Sequence, residues 1–498
     1  MLVVLSDLHL QSDPHIKTRN PDPRSFRLFF EQIARTAAIK RAEELVIVFA
    51  GDIFEHIRSP LWLEPDGDGA ALRPYLDLDA GTSLPQAVED RLWLVHSAIE
   101  SDERAAATIS LIKAAAKGED DIFTRGPRPR FLYIPGTSDR LVNLSPRLNR
   151  RVREIFGLDR QKDQASQKLI RLPHRLAFLA SPPSDVTSAA SLLDMEEGAL
   201  DYGVVVQHGH EYDWLSCEFN HDENPLGRKL TSDDEHLYDL SPLSDWIGLD
   251  LVTKLTSRFL DQCGGDARQL IPINQFIYQC LLDADDIRPQ LRVLEYLMWR
   301  LDGDPWNMVR GLVRDILKEA AESRYLRRWF DRHDHRWIPD RADRIRAVVG
   351  TLRRVSDAVP DSFLANMGAK AAVRAGADQA RVQLLAEDPL WTNPDVHFVC
   401  HGHFHEPGVI PLGVYDGVPK AAVCTGTWRR RHVEARDEMS HVGLRSTGYA
   451  IFYRPEEQSG DQSLRLEFWQ GQVLTHRPGQ FSSGEQTEPK EPSETADE

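Results

Sequence analysis

Five short apolar runs, each stopping abruptly at a cluster of Asp, His or Gly, set the strongest constraint on how this chain can fold. They read "MLVVLSDLH" at 1–9, "ELVIVFAGD" at 44–52, "PRFLYIPGTSD" at 129–139, "DYGVVVQHGH" at 201–210 and "DVHFVCHGHFH" at 395–405. Short continuous apolar runs bounded by polar or turn residues suit strands buried on both faces. Between the first two runs, "SFRLFFEQIARTAAIKRA" at 25–42 carries apolar residues at helical spacing. Strand, helix, strand is the βαβ pattern of a parallel or mixed sheet, so the chain is expected to be α/β.

Further helical patterns occupy 84–100 and 103–117, after a Pro-, Gly- and Asp-rich excursion from about 60 to 82. "PKAAVCTGTW" and "GYAIFYR", near the end, read as strands paired with each other. From 238 to 390 amphipathic helical patterns replace the strands, among them "MVRGLVRDILKEAAESRYLRRWF" and "ADRIRAVVGTLRRVSDAV". The expected organisation is a discontinuous α/β domain over 1–215 and 391–475, with a mostly helical insertion or cap over 216–390. The acidic, Pro- and Ser-rich tail at 476–498 lacks the apolar content to order itself.

The polar clusters carry the chemistry. Residues just after parallel strands converge on one edge of the sheet, where open α/β sheets place their sites. Here they are Asp7 and His9, Asp52, Thr137 to Asp139, His208 and His210, and His403 and His405. Mixed carboxylate and imidazole donors suit Mn²⁺, Fe, Zn²⁺ or Co²⁺ better than Mg²⁺ or Ca²⁺, which favour all-oxygen shells.

In this order the five strings resemble the calcineurin-like metallophosphoesterase superfamily, whose pattern runs DxH, GD, GNH(D/E), a strand-end His, then GHxH. The resemblance covers about 1–215 and 391–455. It implies two packed mixed β-sheets flanked by helices, here with a helical insertion. It also implies two divalent ions, Mn²⁺ first among the candidates, with a hydroxide between them attacking phosphorus in a phosphodiester or pyrophosphate bond. Asp7, His9 and His405 would hold one ion and His208 and His403 the other, with Asp52 bridging. The third motif departs from the pattern. Thr137 stands where the family has a metal-binding Asn, and Ser138 where it has a His that assists the leaving group. A threonine hydroxyl is a shorter, poorer ligand, and serine is no general acid near neutral pH. Asp139 keeps an orienting role. Asp52, Asp139 and His210 are the catalytic candidates, and Arg140 and Arg429 the candidate substrate contacts.

Several features admit two readings. His210 faces substrate or a ligand, or is structural; His397 and His401 read as structural. Arg429, Arg430 and Arg431 grip a phosphate or form a solvated charge run. "RYLRRWFDRHDHRW" at 324–337 stacks nucleotides or supplies core aromatics behind a wet arginine face. The substrate is accordingly a phosphate ester or pyrophosphate, with a nucleotide or nucleic acid as further possibilities. A nuclease is the first rival, and a weakly active or non-catalytic binding protein the second. The formal net charge of −17 counts against a general nucleic-acid coat. Five widely spaced cysteines without a CxxC pair point to reduced thiols and a cytoplasmic location, and no apolar run is long enough to span a membrane.

Overall fold

The computed structural model describes residues 1–12, 19–66, 69, 71–75, 84–158, 171–179, 201–217, 237–288, 290–320, 322–333, 385–386, 388–415, 417–435, 440–457 and 465–476. The expected helix "ADRIRAVVGTLRRVSDAV" of the insertion, at 342–359, and the tail beyond His476 lie outside these residues.

All five apolar runs form strands: β1 (Leu2–Leu5), β2 (Leu45–Ala50), β3 (Pro129–Ile134), β5 (Val204–Gln207) and β6 (Phe398–His401). The remaining strands are β4 (Arg175–Phe178), β7 (Gly408–Tyr415), β8 (Val418–Cys424), β9 (Arg430–Glu434), β10 (His441–Phe452) and β11 (Leu466–His476). One sheet has the order β11-β10-β1-β2-β3, with β9 also paired to β10; the other has β4-β5-β6-β8-β7. In the first, β1, β2 and β3 run parallel, and in the second β5, β6 and β8 do. Antiparallel strands flank both trios, so both sheets are mixed.

Alternation along β1 shows why these runs are apolar throughout. Leu2 and Val4 join Val46, Val48, Val204, Val206 and Cys400 in the core between the sheets. Val3 and Leu5 point the other way, into the core under the helices. Those helices are α1 (Pro23–Lys40), α2 (Gln86–Ser101), α3 (Glu103–Lys117) and α4 (Pro146–Phe156). Asp22 caps α1 by accepting from the Arg24 amide, and Pro23 sits in the first turn, where its missing N–H costs nothing.

One expectation is corrected. The segments "PKAAVCTGTW" and "GYAIFYR" are not partners: β8 pairs with β6 and β7, whereas β10 pairs with β1, β9 and β11 in the other sheet. The true hairpin partner of β8 is β7, an apolar edge strand interrupted by Pro411 and Gly413, where the register shifts.

Within the insertion the helices are α5 (Leu243–Trp246), α6 (Lys254–Gln262), α7 (Pro272–Asp283), α8 (Val293–Arg300), α9 (Asp304–Ala320) and α10 (Arg324–His333). A π-helical stretch, Ile247–Thr253, joins α5 to α6. These elements share a core of their own, including Trp246, Leu281, Tyr296, Val313 and Trp329. In α10 the aromatics Tyr325, Trp329 and Phe330 are buried in that core, while Arg327 and Arg328 face outward. None of the five cysteines is in a disulfide, and no described helix is long and apolar enough to cross a membrane.

Candidate metal centre

Because β1, β2 and β3 are parallel, and β5, β6 and β8 likewise, their C-terminal ends meet along one rim of the two sheets. Two groups of side chains assemble there: Asp7, His9 and His405, and Asp52, His208 and His403, with ligand atoms in each group within 4.8 Å of one another. All six residues are buried.

The backbone is bent to deliver them. Among the described residues, six non-glycine residues have left-handed φ, and five of these are Asp7, His9, Asp52, His403 and His405. That region is costly for residues with a Cβ and concentrates at functional sites. Close approach also explains two motif glycines. A Cβ on Gly402 would stand 2.1 Å from Asp7 Oδ2, and one on Gly51 would stand 2.4 Å from His208 Nδ1.

Spacing within the groups fits shared cations. The Nε2 atoms of His9 and His405 are 3.1 Å apart, His405 Nε2 is 3.4 Å from Asp7 Oδ1, and His9 Nε2 is 3.7 Å from the same oxygen. In the second group His208 Nε2 lies 3.4 Å from Asp52 Oδ2, which is also 3.7 Å from His9 Nε2. Ligands on ~2.1 Å bonds to one ion stand roughly 3.0–3.4 Å apart at octahedral or tetrahedral angles. Asp52 Oδ2 thus reaches both groups. Asp7 Oδ1 and His208 Nε2, one from each group, are buried with no hydrogen-bond partner, which suits atoms that bind a cation.

The outward nitrogens of three histidines are held in place. His9 Nδ1 lies 3.1 Å from Glu55 Oε2, His208 Nδ1 lies 2.9 Å from the Ala50 carbonyl, and His403 Nε2 lies 2.9 Å from Asp213 Oδ2. Such partners fix the ring and tautomer of a metal-binding histidine. His9 and His208 therefore offer Nε2, and His403 offers Nδ1. Burial opposes charge on Asp7 and Asp52, but facing histidines outweigh it and hold both carboxyls well below the usual range. Burial likewise works against the His208 imidazolium, and the Asp52 carboxylate overrides it, raising the ring to about 10. A bound dication would take the place of that proton.

The other candidates are placed as follows. Thr137 Oγ1 donates to Asp52 Oδ2 at 3.1 Å, and the Ser138 amide donates to Asp52 Oδ1 at 2.7 Å, so the third motif orients Asp52. Ser138 Oγ is 3.5 Å from His9 Nδ1. Asp139 lies behind this loop and accepts from the Ile53 amide at 2.8 Å, the Gly136 amide and the Tyr133 hydroxyl. Burial, then the Asp52 charge, raise it to about 6. His210 is buried with no hydrogen bond at Nδ1, which lies 3.8 Å from Glu211 Oε2, and its ring is 5.3 Å from His208 and 6.3 Å from His403. Burial drives its pKa down to about 4, so the ring is neutral. His401 is buried behind the GHxH turn, and its Nδ1 lies 3.1 Å from the Gly402 carbonyl.

Arg140 and Arg429 are not directed at the two groups. Arg140 donates to the Thr137 carbonyl and Ser241 Oγ and pairs with Asp245 at 2.6 Å. Arg429 is 1 % exposed and pairs with Asp285 at 3.1 Å and Asp286 at 2.8 Å. Both tie the rim to the insertion. The GTW turn after β8 supports Asp7: Thr427 Oγ1 and the Trp428 amide both donate to the Asp7 carbonyl. Sequence reasoning missed Glu55, Asp213 and Asp285. Glu55 follows Asp52 by only three residues, a spacing that had offered a signal; the other two had none.

Compared with models of known protein families the chain matches none, and no curated protein is a detectable relative.

Proposed function

We propose that this chain is a metal-dependent phosphoesterase with the calcineurin-like metallophosphoesterase fold, hydrolysing a phosphodiester or pyrophosphate bond. The observation that carries this reading is the pair of buried Asp/His groups side by side on one rim, with Asp52 Oδ2 in reach of both. Asp7, His9 and His405 would hold one divalent ion and His208 and His403 the other, with Asp52 shared and Mn²⁺ the first candidate. Two such ions polarise a phosphoryl group and lower the pKa of water so that it attacks near neutral pH.

The chain's own residues do the rest. Thr137 and the Ser138 amide fix the Asp52 carboxylate, while Glu55 and Asp213 turn His9 and His403. His210, neutral and with no hydrogen bond at Nδ1, is the imidazole beside the second group available to hold a substrate oxygen. With Ser138 in place of an imidazole, the reaction suits leaving groups that depart as stable anions, a phosphate above an alkoxide. Burial of Tyr325, Trp329 and Phe330 takes the α10 aromatics away from base stacking, which weakens the nuclease reading.

The deciding experiment is metal content of the purified protein together with turnover of bis-p-nitrophenyl phosphate and a nucleoside diphosphate ester in Mn²⁺. Two bound ions, with hydrolysis lost to chelator and restored by Mn²⁺, are expected. One ion or none, with no hydrolysis, would leave a binding protein on this fold.

A further inference from the structure

Ser6 follows β1 and Thr425 follows β8, so each extends a different sheet, yet their hydroxyl oxygens are only 2.6 Å apart. Both residues are fully buried. Two glycines allow the approach. A Cβ on Gly402 would stand 2.1 Å from Ser6 Oγ, and one on Gly448, in β10, would stand 1.9 Å from the Thr425 carbonyl oxygen. A side chain at either position would push the two strand ends apart.

Each hydroxyl has one proton to give. Ser6 Oγ is within reach of Asp7 Oδ2, Thr425 Oγ1 and, at 3.4 Å, the Gly426 carbonyl. The carboxylate takes the proton, because hydrogen bonds to ionised acceptors are stronger than those to neutral ones. Thr425 Oγ1 in turn chooses between Ser6 Oγ at 2.6 Å and the His401 carbonyl at 3.3 Å. That carbonyl already accepts from the Thr425 amide at 2.8 Å, so the shorter bond to Ser6 prevails. The protons thus run one way, from Thr425 to Ser6 to Asp7 Oδ2, and hydrogen bonds in such a chain polarise one another.

Asp7 Oδ2 also accepts from the His403 amide at 2.9 Å. Asp7 Oδ1 has no hydrogen-bond partner and lies 3.4 Å from His405 Nε2. One oxygen is therefore tied to the protein and the other is turned into the Asp7–His9–His405 group. Thr427 and Trp428 hold the Asp7 backbone carbonyl and leave its side chain alone.

We propose that Ser6 and Thr425 are positioning residues of the metal centre: their hydroxyl relay fixes Asp7 as a one-oxygen ligand and so sets the affinity of the ion at the Asp7–His9–His405 group. This rests on the two-ion centre proposed above, but not on the reaction assigned to it. Without the Ser6 donor the carboxylate keeps only the His403 amide and can rotate about its Cβ–Cγ bond, which costs the ion a preset oxygen.

The test uses the full chain, freed of metal by chelator, with Mn²⁺ as the probe in a calorimetric titration. His405→Ala and Asp213→Ala identify which binding step belongs to which group. Ser6→Ala should weaken the step that His405→Ala weakens, by about tenfold to a hundredfold, and leave the other at its wild-type affinity. Thr425→Val keeps the shape and removes the hydroxyl; it should weaken the same step by less, since Ser6 still donates. Thr425→Ser restores the hydroxyl and should bind as wild type does. Equal affinities in wild type and Ser6→Ala would overturn the proposal. So would equal weakening of both steps, or weakening in Thr425→Ser equal to that in Thr425→Val, since either marks the pair as a clasp between strands. Should Ser6→Ala fail to fold, the two Thr425 variants decide alone. Turnover of bis-p-nitrophenyl phosphate by the wild type reports separately on the phosphoesterase reading. Two bound ions without turnover would sink that reading and leave this proposal standing; turnover with unchanged Mn²⁺ affinity in Ser6→Ala would do the reverse.

Discussion

His403 Nε2 lies 2.9 Å from Asp213 Oδ2, so the first histidine of the GHxH motif is oriented by a carboxylate 190 residues earlier in the chain. Asp213 is itself held, accepting from the Leu215 amide at 3.0 Å and Ser216 Oγ at 2.9 Å. It sits where the chain leaves β5 for the insertion. Removing such a partner typically costs about 10–100-fold in metal affinity. Asp213→Ala should therefore weaken the ion at the Asp52–His208–His403 group by that order, and leave the ion at Asp7–His9–His405 largely unaffected. Stepwise Mn²⁺ titration checks it; loss of both ions together, or of neither, would count against this pairing.

Among the described residues Asp52 is the carboxylate in reach of both groups, and its variants should show it. Asp52→Asn is expected to abolish hydrolysis and to lower the affinity of both ions, while His405→Ala should abolish hydrolysis and chiefly loosen one. Metal stoichiometry of the two variants, measured beside turnover, separates these outcomes. Substantial Mn²⁺-dependent activity in both would mean that the ligands are misassigned.

Much of the rim was legible because each strand and its polar end are contiguous in sequence. Asp7 and His9 must follow β1 by a few residues, and parallel strands leave no choice about which edge they reach. The pairing of β8 was not legible. Its neighbour β7, "GVIPLGVY", is apolar but lies at the sheet edge, and Pro411 and Gly413, where the register shifts, break it as a strand signal. Arg429 was misread for a different reason. Its partners Asp285 and Asp286 lie 144 and 143 residues away in an independently packed set of helices, and no local pattern announces such a contact. The same holds for Arg140 and Asp245. Charge runs tell which residues can bind an anion, but burial by a distant element decides which remain free to do so.

Stability should fall in mild acid through two buried histidines. His96 Nδ1 lies 3.1 Å from His56 Nε2, and burial drives both rings down, His96 to about 3 with the Arg151 charge as second cause. In the unfolded chain a histidine takes up its proton near pH 6.5. Below that pH the unfolded state binds protons that the folded state refuses, so stability decreases as pH falls. From pH 7.5 to 5.5 each histidine contributes a loss of about 1.4 kcal/mol. Asp139 and Asp245, both raised to about 6 chiefly by burial, act in the opposite sense over the lower part of this window. The informative quantity is therefore the difference between wild type and His96→Gln. Urea unfolding at the two pH values should show the variant losing about 1.4 kcal/mol less. An identical loss in both proteins would show that His96 charges freely in the fold.

The last prediction concerns the third motif. Thr137 Oγ1 spends its proton on Asp52, and Ser138 contributes its amide to the same carboxylate. The loop therefore orients Asp52 but places no amide oxygen beside the second group. In Thr137→Asn the carboxamide nitrogen would replace the hydroxyl as donor to Asp52, leaving its oxygen as an added ligand. Affinity for the second ion should rise, with higher turnover at limiting Mn²⁺ and no change at saturation. Ser138→His should act differently, helping only substrates with alkoxide leaving groups, because nitrophenolate and phosphate leave without a proton. Ser138 Oγ is 3.5 Å from His9 Nδ1, so the introduced ring must turn away from Glu55 to avoid competing for that nitrogen. Metal titration of the first variant and the ratio of activities on good and poor leaving groups for the second give independent readouts. Unchanged metal affinity in Thr137→Asn would mean that the second group is already complete, and His210, with no hydrogen bond at Nδ1, would be the residue to replace next.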